Sequence, residues 1–284
     1  MTLNMNTIPK FNLKVIDLKN EFDIKNYFFD QKYSKRRNIY WKNSELELIG
    51  IDFLVSSDFS NKNEYQDLIT YYKSIIEKNQ TAFSRLDVPI IFMGSAFNLK
   101  ENIHEDIWKR FPKGRIFIPK ILIISNKAGQ RAVLFDLENL HSHLKIPDDL
   151  DIPLKSPLIN LLKTTDKDSY KSSVNKAIQI IEDNQLSKIV LSRKKSYSIS
   201  SKENLLSHFM LNKSTEDNTT NFVLDFQELG TLFGSSPETL FRVSDNHLRT
   251  EALAGSFSSE QNIDLTQKKK ELQEHNIVVD YLKE

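Results

Sequence analysis

The chain has 284 residues, with 39 Lys and Arg against 38 Asp and Glu, a net charge of +1, no cysteine, and 39% hydrophobic residues. That charge balance gives no general pull toward nucleic acid or an anionic membrane, which needs a surplus of Lys and Arg on one face. The lack of cysteine excludes disulfides, thiolate zinc sites and cysteine nucleophiles, and the length is enough to bury a sizeable core as one large domain or two small ones.

The N-terminus, MTLNMNTIPKFNLKVIDLKNEFD, has no basic head followed by an apolar core, so it does not read as a secretory signal. Apolar stretches such as RIFIPKILIIS fall short of the ~18 to 20 residues a membrane helix needs. The expectation is a cytoplasmic protein that contacts neither membrane nor nucleic acid.

IYWKNSELELIGIDFLVSS reads as two short strands. NEYQDLITYYKSIIEKNQ then places Tyr65, Leu68, Ile69, Tyr72, Ile75 and Ile76 at helical spacing, most simply as core. VPIIFMGSAF, RIFIPKILIIS and RAVLFDL follow as strands separated by turns such as NKAGQR, which predicts an antiparallel sheet. His141 and His143 are the only close histidine pair, in a polar stretch before Pro147, and read as surface loop residues without assigned chemistry.

Residues 144–169, with Pro147, Pro153 and Pro157, are the best candidate for a connection between two halves of one fold. Beyond it, Val174, Ala177, Ile178 and Ile181 form one helix face that Asn184 ends, and KIVLSRKKSYSI is expected as a strand. A helix around ENLLSHFMLN comes next, then strands NFVLDF and TLFGSS joined by QELG, and a hairpin turning at SDN. The last helix is expected from about Asp264 and is still amphipathic at Glu284, with no stop signal after it.

Four segments carry side chains suited to chemistry. Lys188, at the mouth of SKIVLSRK, is either a solvated edge charge or, in a low-dielectric cleft, an amine whose lowered pKa suits a base. In LFGSSPETLFRV, Gly234 and Pro237 are expected to bracket a tight turn. Glu238 behind it is either a surface glutamate or a carboxylic acid kept protonated by burial. Gly255 and Ser256 in RTEALAGS are an ordinary loop or a pair of backbone N–H groups able to meet a carboxylate. Glu271 and Glu274, at i and i+3 on one helix, are a charged face among lysines or two oxygen donors for one hard cation.

In this order the four segments resemble the chorismate-utilising enzymes, and within them the isochorismate synthases. SKIVLSRK resembles the family's lysine strand, FGSSPETLFRV its Ser-Pro-Glu turn, RTEALAGS its Thr-Glu-Ala-Leu-Ala-Gly-Ser/Thr segment and KELQEH its acidic Glu-His helix. PIIFMGSAF and WKRFPKGRIFIPKILI look like weaker landmarks upstream, so the resemblance runs from about residue 85 to the end, with 1–84 a variable N-terminal part of one domain spanning 1–284.

The resemblance implies an α+β fold of layered antiparallel sheets flanked by helices, with the active site in a cleft between the layers. It also implies an isomerase that converts chorismate to isochorismate with Mg²⁺, for menaquinone synthesis or, alternatively, for a siderophore. Lys188 corresponds to the base that activates water and Glu238 to the acid that protonates the departing C4 hydroxyl. Glu274 corresponds to the metal glutamate, with Glu271 near it, and Gly255 and Ser256 to the lining of the substrate carboxylate.

Among sister activities, the anthranilate synthases are less similar at Lys188. The aminodeoxychorismate synthases place a nucleophilic lysine in the segment where this chain has Ala254, which forms no covalent adduct. Salicylate synthases share the lysine and both glutamates and stay open. The linker before the Glu-His helix is short, lacks the family's Pro-Arg-rich turn, and no segment with another metal glutamate follows the helix. The chain is therefore expected to be incomplete at the C-terminus, and a non-catalytic fragment acting as a binding partner is the alternative of another class.

Overall fold

The computed structural model describes residues 8–18, 23–29, 36–83, 86, 90–100, 108–137, 156–211, 219–244, 246–255 and 269–283. Its strands are β1 (Phe11–Asp17), β2 (Asn38–Lys42), β3 (Leu46–Phe59), β4 (Phe92–Ser95), β5 (Gly114–Asn126), β6 (Gly129–Leu137), β7 (Ile159–Thr164), β8 (Lys195–Ile199), β9 (Thr220–Asp225), β10 (Thr231–Ser236), β11 (Arg242–Ser244) and β12 (His247–Arg249). Its helices are α1 (Asn26–Phe29), α2 (Lys62–Lys78), α3 (Gln80–Phe83), α4 (Lys167–Glu182), α5 (Lys202–Leu211) and α6 (Lys269–Lys283). Every strand pair among the described residues is antiparallel, so the expected α+β fold with antiparallel sheets is what forms. None of the described helices is long and apolar enough to cross a membrane.

The backbone gathers into two compact units, Met1–Leu154 with Phe209–Ser236, and Lys155–His208 with Pro237–Glu284. The first is built on an eight-stranded sheet in the order β1-β6-β5-β3-β2-β9-β10, with β4 also paired to β5. Three of these strands, β1 to β3, come from the part expected to be variable, so the described strands of residues 1–84 belong to the same sheet as strands of the recognisable part. The second of the two short strands expected near residue 50 is in fact a strand of 14 residues. It extends because β2 and β5 pair along its two edges. Pro119 of β5 has no N–H to give the ladder, and the β3 register slips opposite it, between Phe53 and Val55.

α2 starts at Asn61, whose side chain accepts from the N–H groups of Asn63 and Glu64. Leu68, Tyr71, Tyr72 and Ile75 are its buried face, while Tyr65 and Ile69 pack at the margin of the core. Ile76, expected in the stripe, is exposed and Tyr71 takes its place, because one step of ~100° past Ile75 turns a side chain out of the apolar sector. This face meets Leu48, Val55, Ile116, Ile118, Leu122 and Ile124 in one cluster. The Tyr72 hydroxyl donates to the Ile116 carbonyl at 2.9 Å, and burial pushes its pKa up to about 12. At the helix end, the buried Asn79 accepts from the Phe11 N–H at 2.8 Å and donates to the Ile75 carbonyl at 2.9 Å, fixing β1 to α2.

In the second unit, β7 pairs with β8, and β11 with β12. The Asp166 side chain caps α4 by accepting from the Ser169 N–H at 2.9 Å, and Asn184, at φ 53°, follows the last turn as expected. The β11–β12 hairpin turns at Asn246, also at positive φ. Of KIVLSRKKSYSI, however, only Lys195–Ile199 is a strand. Residues 188–194 carry no ladder, since a β-branched run becomes a strand only where another backbone pairs with it. Residues 138–155, which hold His141, His143 and the first part of the expected connection, lie outside the described residues, as do 256–268 before α6.

Candidate active site

Lys188 sits a few residues beyond the left-handed Asn184 that ends α4. Its segment is held at the far end, where the Thr165 N–H donates to the Lys194 carbonyl at 3.0 Å and the Lys194 N–H donates to the Thr165 hydroxyl at 3.2 Å. The Arg193 guanidinium lies over the Tyr170 ring of α4, 6.0 Å from its centroid. Between these anchors the Lys188 ammonium lies 3.5 Å from Oε1 of Glu274, with side chains 26% and 40% exposed respectively. Lys188 is thus neither a strand-edge charge nor an amine in an apolar cleft, but one half of a partly buried ion pair.

α6 sets the other half. Glu271 and Glu274 are one turn apart on this helix, and both are partly buried. Both thus stand on α6 at the i, i+3 spacing expected, and Lys188 reaches the second of them. Among the described residues no group of three or more His, Asp or Glu side chains gathers as metal ligands. Two carboxylates alone are oxygen-only donors, which suits a hard cation that keeps part of its water, as Mg²⁺ does.

Glu238 lies between β10 and β11 and is exposed, so the described residues do not supply the burial expected around it. The tight turn expected to begin at Gly234 is also displaced. Gly234 stays in β10 opposite Phe222, whose ring lies 3.2 Å from where a glycine Cβ would stand, and the chain leaves the ladder only after Ser236. Beyond the β11–β12 hairpin, the Thr250 hydroxyl donates to the Leu240 carbonyl at 2.8 Å. This bond ties the segment before the hairpin, which carries Glu238, to the one after it, which carries Gly255. Gly255 adopts φ 87°, a conformation that an L side chain resists. Ser256 lies outside the described residues.

The family model described as chorismate binding enzyme matches residues 10–284. The chain belongs to this family. The match begins well before residue 85, where the motifs first carry the resemblance, in keeping with the shared sheet of β1 to β3. The isochorismate synthase MenF of Bacillus subtilis is 23% identical over 283 residues, covering 88% of this chain and 59% of that protein. MenF of Escherichia coli is 28% identical over 158 residues, covering 52% of this chain and 37% of that protein. The solved structure of the E. coli menaquinone-specific isochorismate synthase MenF superposes with a TM-score of 0.65 at 20% identity, over 96% of this chain and 63% of that one, and shares its fold. The chain thus spans about three fifths of the length of the B. subtilis relative.

Two features of this chorismate-binding family member escape sequence reasoning. The Lys188–Glu274 contact joins motifs far apart in the chain, and periodicity carries no signal for it. Thr250 opens the TEALAGS segment, but its partner, the Leu240 carbonyl, lies across the hairpin, and the local pattern does not name it.

Proposed function

We propose that the protein is an isochorismate synthase that isomerises chorismate for menaquinone synthesis, and that it uses Mg²⁺. The observation that carries the reading is the juxtaposition of Lys188 and Glu274, within a family match that extends from residue 10 to 284. Two ordered motifs with distinct expected tasks supply side chains to one place, as a single site requires. The names of the relatives in B. subtilis and E. coli support the substrate and the pathway.

In this reading Lys188, with its amine unprotonated, takes a proton from water as the water oxygen bonds to C2 of the ring. The ring double bonds shift, and the C4 hydroxyl leaves as water with a proton from Glu238, so that one water enters and one departs. Water is a poor nucleophile and hydroxide a poor leaving group, and a positioned base and acid contribute ~10²- to 10⁴-fold each. Glu238 performs this once bound substrate covers it. The backbone N–H groups at Gly255 and Ser256 receive a substrate carboxylate. Glu274, with Glu271 near it on the same helix, would hold Mg²⁺, which would screen the dianionic substrate.

The test is to express the protein from its entire reading frame, incubate it with chorismate and Mg²⁺, with and without ammonia, and identify the product. Isochorismate is expected. Salicylate with pyruvate moves the assignment to the sister activity, while anthranilate or no product at all refutes it. Lys188→Ala and Glu238→Gln should each lower kcat by at least ~10²-fold without changing the circular dichroism spectrum. A near-normal rate in either variant removes that residue from its role.

A further inference from the structure

We propose that Lys188 is an internal counter-ion of the α6 carboxylates: it pairs with Glu274 when no divalent ion is bound and is displaced when one binds, so that metal loading releases the amine toward substrate. This rests on the Mg²⁺ reading above and adds to it an order of events. The Lys188 ammonium lies 3.5 Å from Oε1 of Glu274, and both side chains are partly open to water. A contact of this kind between half-exposed side chains is weak, so a cation of twice the charge that bonds directly to the carboxylate can displace it.

The lysine is built to give way. Its charge sits at the end of a flexible four-carbon stem, and it has no planar fork to lock against the carboxylate. The backbone at 188–194 is in no helix or strand, whereas Glu274 is fixed in mid-helix. When the two part, Lys188 is therefore the side that moves. Ammonium and metal cannot crowd one carboxylate without like-charge repulsion, which makes the resident lysine a competitor that lowers apparent metal affinity. The same competition keeps the ammonium paired in protein that lacks metal and frees it only when the metal is in place, after which it serves as the base once its proton has passed to solvent.

The probe is Mn²⁺, followed by electron paramagnetic resonance as a visible substitute for Mg²⁺, on native protein and on Lys188→Gln, Lys188→Arg and Glu274→Gln. Lys188→Gln should bind Mn²⁺ about tenfold more tightly than native protein, as expected for removing a like charge at contact range. Lys188→Arg should stay close to native, and Glu274→Gln should lose the site. In native protein whose lysines carry ¹³C-methyl groups, the Lys188 signal should move along the same isotherm as Mg²⁺ is added. If Lys188→Gln binds no more tightly than native, or if its signal stays still while metal binds, the competition is refuted and the metal site stands. Absence of saturable binding in every protein refutes the metal site and the inference together.

Discussion

The two units use the same apolar residue types to opposite effect. In the first, Ile118 and Leu122 of β5 are completely buried between the sheet and its neighbours. In the second, every residue of β7 is exposed, with Leu162 at 68%, and Val190 near the candidate base reaches 82%. A run of Ile, Val and Leu does not make a core by itself; a second layer must lie on it. In the first unit α2 supplies that layer, and Tyr72 and Asn79 bond it to the strands. The second unit is organised instead by its local turns, its caps and ion pairs such as Lys188–Glu274, and it is the unit that holds the candidate catalytic side chains. Few buried contacts mean low local stability, the condition under which side chains near a ligand can rearrange.

The sharpest way to break this comparison is to make the same kind of truncation in both units. Ile118→Ala should cost about 2–5 kcal/mol, because it leaves a cavity among fully buried neighbours. Leu162→Ala should stay within about 0.5 kcal/mol. Trp41 and Trp108, the two tryptophans of the chain, lie in the first unit, so urea unfolding followed by their fluorescence reads that unit, and circular dichroism reads both. Equal losses at the two positions would mean that β7 has a cover like that of β5. Hydrogen exchange sharpens the contrast, since the β5 amides should exchange only on global unfolding and residues 188–194 by local opening, ~10²-fold faster or more.

The first unit was the more legible in sequence because its strands announce themselves locally. RIFIPKILIIS, RAVLFDL and NFVLDF are strands where their composition places them, and the α2 stripe is right except at Ile76. What composition cannot carry is the partner. KIVLSRK has the residues of a strand and no ladder, and β3 runs longer than its own pattern suggests because two neighbours pair with it. The site divides in the same way. The i, i+3 spacing of Glu271 and Glu274 is a local property and is realised on α6. The contact of Lys188 with Glu274 depends on the path of the chain between them, and the exposure of Glu238 on what lies over it.

A smaller effect should appear in alkali, again in the first unit. Burial pushes the Tyr72 phenol up to about 12 and also raises Tyr71 and Tyr40, the last aided by the Glu47 carboxylate that accepts its hydrogen bond at 2.8 Å. A phenol whose folded pKa is raised contributes stability that is complete below the unfolded value of ~10 and is lost as pH rises toward the folded one. Between pH 10 and about 12, Tyr72 should therefore remove about 1.4 kcal/mol per pH unit. Tyr72→Phe should flatten that slope while costing about 1 kcal/mol at neutral pH through the bond to the Ile116 carbonyl. Urea midpoints measured from pH 8 to 11.5 decide the matter, and an unchanged slope in the variant would mean that the phenol ionises as freely in the fold as outside it.

The finest comparison sets two helix caps against each other. Asn61 accepts from two backbone N–H groups of α2, and Asp166 accepts from one in α4. Truncating either to alanine removes a partner of comparable worth, about 1 kcal/mol. The two losses should nevertheless be felt differently. α2 is welded to the buried cluster, so Asn61→Ala should lower the midpoint of the tryptophan-detected transition. α4 buries only Ala177, so Asp166→Ala should leave that midpoint in place and instead speed hydrogen exchange in the first turn of α4 by about fivefold. A fall in the tryptophan midpoint from Asp166→Ala equal to that from Asn61→Ala would show that α4 unfolds together with the sheet, and the distinction between a cooperatively packed unit and a locally held one would go with it.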